Sequence, residues 1–300
     1  MRSHTASGAV PPHLGQPDRP LVFDHPADAA ALDVGAGLAY PESMEPSELY
    51  RVPLLYDALC PMLTADDPEL AWWRWACGTV GATRVLELGA GTGRVAIPLA
   101  EGGLEVTALD ASEAMLARGR ARAAARGADL RWVRADLRDF DLGETFDAVL
   151  VPFNTLCHLH EREAIEAALA RIAAHLAPGG VLALAVFAPD ARSLARSPAQ
   201  RVRLTPEPLI ELESGRVFLV DETVDYDPIS QTTGARLHFV EPGAGDFLVV
   251  SADLRALYPA ELEALLHYNG FEGVARHGDW DGSALDAASP LQLTVARPRL

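Results

Sequence analysis

The chain contains no lysine: all 25 of its basic residues are arginine. A phosphate-binding P-loop needs its lysine, and a Schiff-base enzyme needs a lysine amine, so both chemistries are excluded. Cysteine is scarce. Cys60, Cys77 and Cys157 are odd in number and lack ligand spacing, so neither a disulfide framework nor a metal site is expected, and buried reduced thiols are. No apolar run reaches the ~18–20 residues of a membrane span. The opening "MRSHTASGAVPPHLGQPDRP" lacks the apolar segment of a secretory signal. The expectation is a cytoplasmic protein with no membrane partner. Positive charge is also short. Against 42 acidic residues it leaves a net charge of −17, which repels polyanions. The one basic cluster, Arg118, Arg120, Arg122 and Arg126, reads as a solvated helix face, so no nucleic-acid partner is expected.

What is present suits a globular α/β protein. Residues 1–44 are rich in Pro, Gly, Ala and Asp and read as a flexible N-terminal arm. Residues 45–80 turn helical, with Asp66 and Asp67 before Pro68 as a helix opening and Trp72, Trp73 and Trp75 as its aromatic face. From about 81 to 203 short apolar runs alternate with amphipathic segments: "RVLELG", "EVTALD", "LRWVRAD", "FDAVLVPF" and "VLALAVFAP" read as strands. Between the last two, "REAIEAALARIAAHLAPGG" reads as a helix closed by Pro178-Gly179-Gly180. Such alternation means a doubly wound, mostly parallel sheet. Residues 204–250 read as an antiparallel β insertion, and 251–300 return to a helix and a last strand of the core.

The loop after the first strand, "VLELGAGTGR", gives up three side chains at Gly89, Gly91 and Gly93. Bare backbone followed by a helix start lets a ligand approach closely. The spacing is G-x-G-x-G, not the dinucleotide G-x-G-x-x-G. Asp110 ends the next strand, where an acid can hold the two hydroxyls of a ribose.

In order and spacing, "VLELGAGTGR", "VTALDAS", "RADLRDF", "FDAVLVPFNTLCHL" and "LAPGGVLAL" resemble the successive motifs of the class I S-adenosylmethionine-dependent methyltransferases, over roughly residues 80–190. The likeness resumes at 258–298. It implies a Rossmann-like, mostly parallel seven-stranded sheet with an N-terminal helical lid and the insertion over the active site. It implies S-adenosylmethionine as cofactor and S-adenosylhomocysteine as product. Glu87, Gly89, Ala90, Gly91 and Gly93 would face the methionine part, Asp110 and Ala111 the ribose, and Asp136 and Leu137 the adenine. Met115 would lie on the adenine or simply be buried, and Asp136 would bind the adenine amine or cap a turn. Asn154 would lie between cofactor and acceptor.

Within that family the segment is most similar to small-molecule enzymes, including sugar N,N-dimethyltransferases of antibiotic pathways. The resemblance implies an acceptor site lined by His158, as base, and by Tyr56 of a "YD" motif, for each of which a structural role is the alternative. Pro152-Phe153-Asn154-Thr155 departs from the Asn/Asp-Pro-Pro-aromatic motif of nucleic-acid enzymes. Thr155, Tyr226, His238, Arg255 and Trp280 are the candidates for contact with a small-molecule acceptor. Methyl transfer to N or O, with C as a further acceptor, is the expected function. Bound cofactor serving another reaction such as cyclisation, or a cofactor-sensing regulator, are the alternatives, and a nicotinamide dehydrogenase fits the glycine spacing poorly. A homodimer is left open by the arm, which could swap between subunits.

Overall fold

The computed structural model describes residues 48–205, 208–210, 217–243 and 245–299. The expected arm at 1–44 lies outside the described residues. The described chain opens with a 3-10 turn, Glu48–Arg51, then helix α1 (Pro53–Leu59) and helix α2 (Pro68–Gly78). Asp67 starts α2 by accepting the Glu69 N–H at 2.9 Å, with Pro68 supplying the preset first turn.

Strands and helices then alternate: β1 (Arg84–Leu88), α3 (Ala96–Glu101), β2 (Glu105–Asp110), α4 (Glu113–Arg126), β3 (Arg131–Arg134), β4 (Phe146–Val151), α5 (Arg162–His175) and β5 (Leu176–Phe187). Ser112 caps α4 and Gly127 ends it in the left-handed region, φ 67°. Helix α5 stops at His175, three residues short of the Pro178-Gly179-Gly180 expected to close it. Those residues open β5 instead. A Cβ on Gly180 would stand 2.9 Å from the Asp147 carbonyl oxygen, so the chain is bare there because it enters the sheet beside β4.

After the short helix α6 (Ala191–Leu194) come β6 (Val202–Arg203), β7 (Leu209–Ile210), β8 (Val217–Asp227), β9 (Thr232–Glu241) and β10 (Gly245–Arg255). The chain ends with α7 (Pro259–Tyr268), β11 (Phe271–His277) and β12 (Leu291–Pro298). The main sheet has seven strands in the order β11-β12-β5-β4-β1-β2-β3, and only β12 runs antiparallel to its neighbours β5 and β11. Strand order reverses between β1 and β4, which opens a crevice at their carboxyl ends. Alternation along β1 divides the core. Val85 joins Trp73, Val106 and Leu293 beneath α2, whereas Leu86 and Leu88 join Ile165, Leu169 and Phe271 beneath α5 and α7. No described helix is long and apolar enough to cross a membrane.

A second, antiparallel sheet runs β10-β9-β8-β6, with β7 beside β8. Its register puts Val220, Phe239 and Leu248 in one row and Leu237 and Val250 in the next. Val220, Leu237, Phe239 and Val250 pack on Leu55, Tyr56 and Met115. That face therefore looks down on α1 and α4. The edge of β10 is covered by the first 3-10 turn, where Glu48 accepts the Ser251 N–H at 3.0 Å.

Charged side chains seat helices α1 and α2. Asp57 of α1 is 1% exposed and accepts from Thr92 Oγ1 at 2.6 Å, from Arg118 Nε at 2.9 Å and from Arg122. Glu69 of α2 takes the Arg94 guanidinium on both oxygens, at 2.7 and 2.8 Å. Removing one member of a buried ionic group strands the others. Asp57→Ala is expected to lose about 3–5 kcal/mol of unfolding free energy by chemical denaturation. A loss below about 1 kcal/mol would mean that Arg118 and Arg122 reach water without it.

Candidate functional site

The glycine loop crosses the carboxyl end of β1, and each glycine is bare for its own reason. Gly89, Gly91 and Gly93 all have positive φ, at 67°, 57° and 82°. A Cβ on Gly89 would stand 2.4 Å from Thr155 Cγ2, one on Gly91 3.2 Å from Met115 Cε, and one on Gly93 2.7 Å from Ile97 Cδ1. Thr155 and Met115 are thus placed by the loop they touch. Ala90 is buried and its N–H bonds the Leu109 carbonyl at 3.0 Å, which ties the loop to the end of β2.

Acids surround this loop. Glu87 is 2% exposed, and its Oε2 is buried with no hydrogen-bond partner. Burial pushes its carboxyl well above the ordinary range, and Arg94 only partly opposes the rise. Asp110, at the end of β2, accepts the Gly91 N–H at 2.8 Å on one oxygen and the Ser112 N–H at 2.7 Å on the other. Burial raises its pKa against the pull of those backbone donors. Each oxygen keeps a second lone pair. Ala111, next along, is half-buried. Asp136 is folded onto Arg138, accepting from its backbone N–H and from Nε, both at 2.8 Å, and from Nη2 at 2.5 Å. Burial raises its pKa, but the Arg138 contacts outweigh it and hold the carboxyl low. The turn-capping role is therefore filled in this structure, with half-buried Leu137 beside it.

The loop after β4 departs from ordinary backbone. Phe153 and Asn154 both have positive φ, at 46° and 62°. For a phenylalanine that is a strained position of the kind found at functional sites. Asn154 is 4% exposed, and its Oδ1 accepts the Phe187 N–H at 2.7 Å. Its side chain thus ties the loop after β4 to the end of β5. The turn that follows, Thr155–His158, carries His158.

His158 Nε2 and the Tyr50 hydroxyl are hydrogen-bonded at 2.8 Å, and the two rings stand edge-on with centroids 5.1 Å apart. Burial lowers the His158 pKa to about 4, with a smaller push from His160. Burial likewise raises the Tyr50 phenol well above its usual value. His158 was expected as a base, with a structural hydrogen bond as the alternative; burial favours its neutral form. Tyr56 packs in the buried cluster below the second sheet, 5.7 Å ring to ring from Tyr50. Tyr50, which sequence reasoning missed, is the tyrosine that meets His158. It lies outside the "YD" pair, and no periodicity marks it. Arg94 was missed too. Its charge inside the apolar run "RVAIPLA" was the available signal, and its guanidinium lies 4.9 Å over the Phe153 ring.

The remaining acceptor candidates are scattered. Tyr226 lies on the inward face of the second sheet, and burial and a hydrogen bond with Tyr258 push its phenol up to about 12. His238 alternates with inward Leu237 and Phe239, so it faces away, bonded to Thr223 Oγ1 at 3.1 Å and Arg201 at 2.9 Å. Arg255 donates to the His160 carbonyl and to Glu261, both at 2.6 Å, and so ties β10 to α7. The Trp280 ring is committed to Trp72 and Trp73, at 5.9 Å from each. Thr155 Oγ1 donates to the Pro152 carbonyl at 2.6 Å beneath Gly89.

The donor set fits a nucleoside linked to an amino-acid cation. The unpartnered Glu87 oxygen suits an ammonium, the bare loop suits close approach, and the Asp110 lone pairs suit vicinal hydroxyls. No cluster of three metal-ligating side chains occurs among the described residues.

Comparison with known proteins agrees. The model of a methyltransferase domain family matches residues 85–180. The cypemycin N-terminal methyltransferase of a Streptomyces species is 38% identical over 125 residues, 42% of this chain and 50% of that protein. The dTDP-3-amino-3,6-dideoxy-alpha-D-glucopyranose N,N-dimethyltransferase of Streptomyces fradiae is 38% identical over 101 residues, 34% of this chain and 38% of that protein. The match thus spans half or less of these curated relatives. The solved structure of the CcbJ methyltransferase from Streptomyces caelestis superposes with a TM-score of 0.65 at 30% identity, over 78% of this chain and 90% of that one. With the seven-strand order, the glycine loop and a relative matched over nearly its whole length, the chain belongs to the class I S-adenosylmethionine-dependent methyltransferases.

Proposed function

We propose that the protein methylates an amine nitrogen of a small molecule, with S-adenosylmethionine as donor, in specialised metabolism. When bound, the donor supplies a methyl group on an electrophilic sulfonium. Glu87 would hold its ammonium and Asp110 its ribose. Asp136 would meet its adenine amine beside the Leu137 N–H, keeping Arg138 on its remaining lone pairs. The acceptor would lie across the β1–β4 crevice, below the second sheet and beside Tyr50 and His158. Its nitrogen lone pair forms the new carbon–nitrogen bond as the methyl–sulfur bond breaks in line, and the protein's part is alignment and exclusion of water.

The weak Tyr50–His158 pair carries the choice of nitrogen. Methylating an alcohol requires removal of its proton, and neither group is poised for that near neutral pH. A neutral amine needs no such base. The curated relatives named for N-methylation support the same choice.

Incubation with methyl-deuterated donor and a panel of small amines and alcohols, read by mass spectrometry, is expected to label amines at nitrogen. Labelled ethers with untouched amines would overturn the reading. Stoichiometric binding of S-adenosylhomocysteine with no labelled product from any acceptor would favour a reaction other than methyl transfer.

The pH dependence follows from the direction of the His158 shift. With its pKa lowered from 6.5 to about 4, the imidazole is neutral throughout pH 5.5–8. The rate, kcat/KM, should therefore follow the titration of the acceptor amine, without an enzyme limb near 6.5. His158→Gln should retain activity within about tenfold, because a single neutral hydrogen bond is worth about 1 kcal/mol. A limb near 6.5 that vanishes in this variant would restore His158 as the base. The fold refuses a proton that the unfolded chain accepts, so stability should fall as pH drops from 6.5 toward 4.

A further inference from the structure

The inward face of the second sheet is mostly apolar, with hydroxyls at one end and a single acid in the middle. Its rows are Val220–Phe239–Leu248, Glu222–Leu237–Val250, Val224–Ala235–Ala252 and Tyr226–Thr233–Leu254. Glu222 is the acid among them. It lies between Val202 of β6 and Leu237 of β9, and its side chain is 20% exposed. Glu222 Oε2 accepts from Arg196 Nη2 at 2.6 Å, and Arg196 Nε donates to the Ser193 carbonyl at 3.2 Å. Glu222 Oε1 has no hydrogen-bond partner among the described residues. A half-buried ion pair against an apolar face contributes little net stability, so stability alone does not account for it.

Its surroundings give it a use. Ala235 and Ala252 sit side by side in the next row, both small and both half-buried. Beside that row β10 packs on the turns that carry Tyr50 and His158. Glu222, on β8, stands two strands away, about 10 Å at ordinary strand spacing. Phe153 packs against the apolar cluster beneath this face, with the 39% exposed Phe187 edge-on to it.

We propose that Glu222, held by Arg196, is a specificity-determining residue that accepts a hydrogen bond from a hydroxyl of the acceptor, two strands across the sheet from the Tyr50 and His158 turns. Arg196 neutralises the carboxylate, so the pair selects a neutral donor and does not draw in a second cation. Its free oxygen then provides a charged acceptor, which discriminates strongly against a molecule lacking the hydroxyl. The inference rests on the amine-methylation reading above.

The test compares methyl transfer to polyhydroxylated amines, starting with 3-amino-3-deoxyglucose and its nucleotide-linked form, and to hydroxyl-free cyclic and aromatic amines of similar size. S-Adenosylhomocysteine affinity is measured alongside. Glu222→Gln should raise KM for the hydroxylated amine about tenfold or more with kcat changed less than about threefold, and leave S-adenosylhomocysteine affinity unchanged. The double exchange Arg196→Glu with Glu222→Arg keeps the ion pair but reverses the group that the second sheet presents on its inward face. It should fold with wild-type melting temperature and lose the preference for hydroxylated amines. Equal KM in wild type and Glu222→Gln, or restored kinetics in the exchanged pair, would reduce the pair to a structural staple and overturn the proposal. Turnover of hydroxyl-free amines alone would overturn it while leaving amine methylation intact. Cofactor binding without turnover of any amine would overturn both.

Discussion

One buried carboxylate ties the functional parts together. Asp57 carries its charge at 1% exposure, so it must be met by opposite charge and hydrogen bonds. Its partners come from three places: Thr92 from the glycine loop, and Arg118 and Arg122 from successive turns of α4. Helix α1 can sit only where all three converge. That position puts Tyr56 under the second sheet, and the turn before α1 brings Tyr50 to His158. The glycine loop, helix α1 and the Tyr50–His158 pair are therefore set by the same contact. Disturbing one disturbs the others.

A second constraint acts from the opposite wall. Two consecutive non-glycine residues, Phe153 and Asn154, hold positive φ where β4 ends. Strain of that sort persists only when its surroundings over-determine it. Here Asn154 is fixed through its backbone N–H on the Ala185 carbonyl and its Oδ1 on the Phe187 N–H. The reversal turns the chain abruptly into the Thr155–His158 turn. It places Thr155 under Gly89 and His158 against Tyr50.

The main sheet was legible in the sequence because its central strands are buried on both faces and its helices are amphipathic, so the apolar pattern separates them. The end of α5 was misplaced because Pro-Gly-Gly stops a helix in most settings, whereas here it enters a strand beside Asp147. The glycines were read as space for a ligand. That reading omitted Thr155, Met115 and Ile97, which press on the same positions from within the protein. The arrangement of the acceptor candidates was less legible, for a physical reason. Its geometry depends on contacts between segments far apart in the chain, such as Tyr50 with His158, and on the register of the second sheet. A shift of one residue in that register would turn His238 inward and Glu222 outward. Spacing along one strand cannot fix this. Pairing between strands does.

The central claim is that the carboxyl end of β1, with Glu87 and Asp110 beside the bare loop, holds S-adenosylmethionine. Calorimetric titration of the purified chain with S-adenosylmethionine and with S-adenosylhomocysteine tests it directly. The account predicts one-to-one binding of both, weakened about tenfold or more in Asp110→Ala, because a charged hydrogen-bond acceptor to the ribose is lost. A folded protein that binds neither compound, or binds both equally well without Asp110, would contradict it.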